Sequence, residues 1–371
     1  MITGVVAKGR LKPCFLPIAL LGLVSIALGG CFFQGESGAF VQTGSMTVAR
    51  TTQTSTRLVD GRVLIAGGNG QATAELYAPS KGTFSRTGSM EKERDNAVAA
   101  LLPDGRVLVA GGNDANGNPL SSAELYDPST GAFSRTLSME GPRAFGATSV
   151  SLAGGLVLVV GGSAAYELDS ALASAEIYDP KTGTFSPTGS MSQARIDATA
   201  TLLSDGRVLV AGGSDSDLNR LPSAELFDPR TGAFTATGSM RAARDQHGAT
   251  RLLDGRVLIA GGCGQDPTWF LASAELYDPA RGQFNATGSL GVAECEVAAV
   301  TLSIGEVLVL GTDAEIYDLS AGQFQATRRP GGLLGGGTAT LLVDGRVLIA
   351  GGSTENDQPP FAYDTAYLYV P

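Results

Sequence analysis

The chain has 371 residues, 43% of them apolar, with 51 glycines, one histidine and a formal net charge of −10. So acidic a chain lacks the cationic surface that a phosphate backbone requires, which excludes nucleic-acid binding as a leading function class. Its glycine content and the lack of any long helical periodicity exclude a helical bundle, while the apolar fraction suffices for one large β core.

In chain order, residues 1–30 read as an export signal. Lys8, Arg10 and Lys12 precede an apolar run from Phe15 to Leu28, too short and wrongly flanked for a membrane span. The run ends in Leu28-Gly29-Gly30 before Cys31, an order similar to the bacterial lipobox, in which that cysteine receives lipid. The resulting expectation is a lipid on Cys31, a short linker over 31–37 and an exported domain over 38–371, held at the cell envelope by the anchor alone.

From residue 38 onward one unit of about 40–51 residues recurs seven times. Asp-Gly-Arg turns begin at Asp60, Asp104, Asp205, Asp254 and Asp344, with degenerate forms at Gly154-Gly155 and Gly305-Glu306. Gly-Gly pairs follow at Gly67, Gly111, Gly161, Gly212, Gly261 and Gly351, with Gly311-Thr312 in the seventh place. A Gly-x-Phe landmark falls at Phe40, Phe84, Phe133, Phe185, Phe234, Phe284 and Phe324. Units of this size cannot bury their own apolar faces and must stack on copies of themselves.

The first full unit shows the expected elements. Thr51 to Leu58 is β-prone and forms the innermost strand a, Asp60-Gly61 makes a tight hairpin turn, and Val63 to Ala66 is a continuous apolar strand b, covered on both faces. Gly67-Gly68 lets the chain bend, Ala74 to Tyr77 is strand c, and Pro79 to Gly82 turns into strand d at Phe84. The last unit stops after strand c, at Ala366 to Pro371, and a spare strand-d segment, Gly38 to Met46, stands before the first strand a. The prediction is an all-β, seven-bladed propeller of four-stranded blades, its last blade closed by the N-terminal strand.

An apolar strand ending in Gly-Gly, a Tyr (Phe227 once) after a variable loop and an aromatic residue seven positions later resemble the kelch motif over residues 38 to 371. This sequence has Phe in strand d where that family usually has Trp. The resemblance implies a binding scaffold, since blade construction accounts for nearly all the repeated residues.

Strand direction places the b–c loops and the starts of the strands a on one face, and the variable loops there are the expected binding surface. Tyr166, Trp269, Phe270 and Phe361 are its aromatic ligand candidates; the bland reading makes them caps on the blade edges. Arg50, Arg94, Arg143, Arg195 and Arg244 enter strand a at one register, with Glu294 in the sixth unit and Arg328-Arg329 near the place in the seventh. A free arginine ring would hold a carboxylate or acidic peptide. The alternative pairs each arginine with a strand-c glutamate, Glu75, Glu124, Glu176, Glu225, Glu275 or Glu315. Cys263 and Cys295 fall on neighbouring units of the same face and are expected to form a disulfide in an oxidising compartment.

Enzymatic signals are sparse. Galactose oxidase, a copper enzyme on a kelch-like scaffold, needs more than one histidine, whereas His247 is the sole one here and sits where the kelch motif itself would use it. Asp215, Asp217 and Asn219 lack the Gly and distal Glu of a calcium loop. The expectation is a monomeric, non-catalytic module without metal or cofactor that binds protein or glycan. The competing reading is an extracytoplasmic carbohydrate-active enzyme, of the sugar-acid epimerase kind, using the arginines and carboxylates.

Overall fold

A computed structural model describes residues 38–165, 170–265, 267–327, 337–353 and 362–371. Within the unit that spans residues 36–371, the described strands form seven four-stranded antiparallel sheets. In the first, strand a is Thr54–Arg57, b Val63–Ala66, c Ala74–Ala78 and d Thr83–Arg86, hydrogen-bonded in that order. The innermost strands touch their neighbours around a complete ring, Thr54–Arg57 meeting both Val98–Leu101 and Thr338–Leu341.

The core lies between the sheets. Val63, Leu64, Ile65 and Ala66 are each at most 1% exposed, so strand b has no wet face and its apolar run needs no alternation. Each such side chain contributes on the order of 2 kcal/mol by leaving water. Tyr77 is fully buried and stacks on Phe84 at a centroid distance of 4.8 Å, an arrangement repeated in every blade. The Phe in strand d therefore fills the cross-strand space expected of it. A Thr hydroxyl at the end of strand d then bonds the tyrosine hydroxyl of the next blade, as between Thr87 and Tyr126 at 2.8 Å.

The tight a–b turns form as the sequence predicts. Asp60 accepts hydrogen bonds from the Arg62 backbone N–H at 3.0 Å and from Arg62 Nε at 2.7 Å, with Gly61 at a φ of +85° where a Cβ would be strained. The Arg62 guanidinium holds the Asp60 carboxyl below its ordinary range. The seventh sheet consists of Thr338–Leu341, Val347–Ala350, Ala366–Val370 and the N-terminal Ala39–Gln42. The register pairs Phe40 with Tyr369 and Gln42 with Tyr367, as the spare strand-d segment implied.

The largest boundary difference from the sequence reading is at the start of strand a. Strand a begins at Thr54 rather than Thr51, because Thr52 takes a left-handed φ of +56° and breaks the extended run. That kink recurs and builds the site.

Candidate site at the channel mouth

Six blades turn into strand a through one left-handed residue: Thr52, Asn96, Gly146, Asp197, Gln246 and Glu296, with φ between +49° and +65°. Only Gly146 adopts this conformation freely; for the others it costs on the order of 1–2 kcal/mol each, most steeply for the β-branched Thr52. Hydrogen bonds between blades offset the strain. Asn96 N–H donates to the Thr52 carbonyl at 3.2 Å, Asp197 N–H to that of Gly146 at 3.1 Å, and Gln246 N–H to that of Asp197 at 3.2 Å. Strain held by such a girdle is characteristic of ligand sites.

All six residues line a solvent-open cavity of about 680 Å³ at the mouth of the central channel, together with Thr51, Gln53, Thr199, His247, Thr338 and Ser353. The size suits a small ligand or one end of a larger one. Gln246 Nε2 donates to Asp197 Oδ2 at 3.1 Å. Burial, reinforced by the nearby Asp245 and Glu296 carboxylates, pushes the Asp197 carboxyl up to about 6. Asp245 is 5% exposed, accepts a short hydrogen bond from Ser214 Oγ and an ion pair from Arg220 Nε at 3.2 Å, and leaves its buried Oδ1 without a hydrogen-bond partner. Among the described residues, no lysine or arginine lines the cavity.

The five arginines stand elsewhere. Arg50, Arg94, Arg143, Arg195 and Arg244 are at most 3% exposed and reach into the blade, where they pair with Glu75, Glu124, Glu176, Glu225 and Glu275 at 3.1–3.4 Å. Arg50 also donates to the carbonyls of Gly67 and Thr73 and to the Thr73 hydroxyl at 2.6–2.9 Å, tying the end of strand b to the start of strand c. Burial disfavours the charged guanidinium and the facing glutamate opposes that cost. No free arginine ring is presented to a ligand; the regular spacing of acid and base comes from the pairing. Glu294, 4% exposed, is likewise turned inward, onto the Asp313 N–H at 2.7 Å and the Thr312 hydroxyl at 3.0 Å.

Trp269 and Phe270, on the b–c loop of the fifth blade, remain 56% and 51% exposed and so are not small buried caps. Cys263 and Cys295 are joined in a disulfide between the fifth and sixth blades, with Cα atoms 4.8 Å apart. Asp215 accepts the N–H groups of Asp217 and Asn219 at 2.9 Å, closing its loop on itself. Tyr166, Phe361, Arg328-Arg329, Cys31 and the signal over 1–30 lie outside the described residues.

His247 is buried beneath the cavity wall, with Nε2 2.9 Å from Thr199 Oγ1 and Nδ1 without a partner. Burial, with the Arg244 charge beside it, lowers its pKa to about 3, so the ring is neutral. A histidine-rich copper site does not fit this chain: the sequence has one histidine, and no group of three His, Cys, Asp or Glu side chains is placed for a metal among the described residues.

All six ring residues escaped the sequence reading. Thr52, Asn96, Asp197, Gln246 and Glu296 each stand two positions after the recurring Arg or Glu294, and they vary while their neighbours repeat. Variation at a fixed register was the available signal.

Three stretches, 97–139, 145–192 and 199–241, match the Kelch motif. The fold is a seven-bladed kelch-type β-propeller. The chain is similar in structure to a fungal alcohol oxidase of the AA5 family, solved in complex with copper, at 18% identity and a TM-score of 0.71, over 91% of this chain and 76% of that one. It is also similar to a protein called YjhT, at 14% identity and a TM-score of 0.61, over 76% of this chain and 99% of that one. At these identities the likeness concerns the kelch-type scaffold. A comparison with curated protein sequences found no match.

Proposed function

We propose that the loop-bearing face recognises a neutral glycan at the channel mouth, and that Asp197 equips this mouth for acid–base chemistry on the bound sugar. The observation that carries the reading is the left-handed ring, which turns Thr, Asn, Gln and two carboxyl side chains into one cavity. Side chains of this kind accept from and donate to hydroxyl groups, and fixed backbone geometry lets several engage one ligand without an ordering cost. The carboxylates, with no cation among the described lining residues, disfavour an anionic ligand. The five arginines that would hold a sugar acid are paired inside the blades, which disfavours that ligand.

The catalytic half of the proposal draws support from Asp197 alone. A carboxyl raised to about 6 by burial is suited to general acid–base catalysis near neutral pH.

The experiment is an array of neutral and acidic glycans probed with the protein over residues 38–371, followed by titration and product analysis of the hits. Neutral glycans should bind, and Asp197→Asn and Gln246→Ala should weaken them about tenfold or more. Turnover that is lost in Asp197→Asn while binding persists supports the enzyme; binding without turnover leaves a recognition module. Binding restricted to acidic glycans, or to none, overturns the reading.

A further inference from the structure

Resting on the glycan reading of the channel mouth, we propose that Trp269 forms a second sugar subsite, so that the ligand is an oligosaccharide running from the cavity onto the fifth-blade loop. Four observations lead there.

Trp269 and Phe270 are half-exposed neighbours on a loop that could have buried them. Leaving an indole in water forgoes a large apolar gain, which a ligand covering its face recovers.

The loop is braced in that posture. Gly264 N–H donates to the Trp269 carbonyl at 2.8 Å, Leu271 N–H to that of Gly262 at 3.0 Å, and the disulfide from Cys263 fastens its base to the sixth blade. The ring is therefore presented rigidly, and stacking on it costs little ordering.

A cationic group lies over one face of the ring, so a ligand would use the other. The Arg220 guanidinium carbon lies 5.8 Å from the indole centroid, and Arg220 is itself positioned by Asp245 at 3.2 Å and by Gln265 Oε1, which accepts its backbone N–H at 3.0 Å. An aromatic face beside a donor matches a pyranose, whose C–H face is apolar and whose rim carries hydroxyl oxygens.

The platform is also tied to the cavity wall. Asp245, which holds Arg220, precedes Gln246 of the ring, and Cys263 Sγ lies 3.2 Å from Gln246 Oε1. Two adjacent aromatic side chains fall well short of the roughly 800 Å² per partner of a stable protein interface, so a small ligand extending out of the cavity is the occupant that fits.

Trp269 is the only tryptophan of the chain, so selectively excited tryptophan emission reports this site alone. The test titrates wild type, Trp269→Ala and Trp269→Phe with an array-positive neutral sugar and its two- to six-unit oligomers, with Asp197→Asn as a channel-mouth control. Wild-type emission should shift with oligomers and not with the monosaccharide. Trp269→Ala should lose about tenfold in oligomer affinity, keep its monosaccharide affinity, and be largely rescued by Trp269→Phe. Equal oligomer affinity in wild type and Trp269→Ala, with unchanged emission, overturns the subsite and leaves the channel mouth standing. Loss of all binding in Asp197→Asn alone points the same way, and no sugar binding by any form overturns both.

Discussion

At the level of single residues, the least legible feature was the ring of left-handed positions, because nothing local demands such a φ of Thr52, Gln246 or Glu296. At Asn96, Asp197 and Gln246 the demand comes from the neighbouring blade, whose carbonyls their N–H groups reach. His247 was easier, since its place in the repeat pointed to a structural role and it is buried against Thr199. His247 and the ring residue Asp197 also set opposing pH dependences. Folding depresses the His247 pKa from 6.5 to about 3, so the stability gained from its neutral form is full above pH 6.5 and drains as pH falls toward 3. Asp197 is raised from 3.8 to about 6, so its contribution is present below pH 3.8 and is lost as pH rises through 6. Denaturant titrations across pH should accordingly show His247→Gln flattening the acid decline below 6.5. Asp197→Asn should gain up to about 3 kcal/mol at pH 7.5 and well under about 1 kcal/mol at pH 4. Profiles parallel to wild type would refute both assignments.

At the level of elements, strands b and c and the tight turns were legible because propensity, burial and turn chemistry agree there. The arginine–glutamate pairs were legible as a periodicity, but only geometry could decide between a ring and pairs. The sixth blade explains why its arginine is replaced. In the other paired blades a wide b–c connection leaves carbonyls facing inward, such as Gly111 and Ser122, each 2.9 Å from Arg94 Nη1, and a cation answers them. The sixth connection is a tight turn, Gly311 N–H bonding the Asp313 carbonyl at 2.9 Å, and it offers the Asp313 N–H and Thr312 hydroxyl instead. Donors call for an acceptor, and Glu294 supplies it. A Cβ on Gly311 would collide with that carboxylate, which accounts for the glycine. Burial still raises the Glu294 carboxyl above its ordinary range. Breaking one intact pair should be costly: Glu124→Gln strands the Arg94 charge and is expected to lose about 3 kcal/mol. Asp104→Asn, at a half-exposed turn pair, should lose no more than about 1 kcal/mol. Equal losses in equilibrium unfolding would show that burial does not govern the pairs. The double change Arg94→Met with Glu124→Leu should not be neutral either, because the Gly111 and Ser122 carbonyls would lose their donor.

For the whole molecule, seven blades and the closing strand could be read before any coordinate, since a count of landmarks exposes a missing strand at one end and a spare one at the other. What could not be read is how many blades the closing segment joins. Its Gly38 carbonyl accepts the Thr327 hydroxyl of the sixth blade at 2.8 Å. Strand Ala39–Gln42 completes the seventh, with Phe40 stacked 5.0 Å from Tyr369. Thr43 Oγ1 meets Tyr77 OH of the first blade at 2.8 Å, Gly44 N–H reaches the Gly82 carbonyl at 2.9 Å, and Met46 is buried in a core shared by Val63, Ile65, Leu348 and Leu368. The segment thus fastens three successive blades, and a ring opened there exposes strand edges and core together. Phe40→Ala should cost about 2 kcal/mol in reversible unfolding, and removal of residues 38–46 should lower the melting temperature far more than trimming the exposed loop at Asp114–Asn118. Melting of the truncated protein together with the intact one would mean that the ring does not depend on its N-terminal strand for closure.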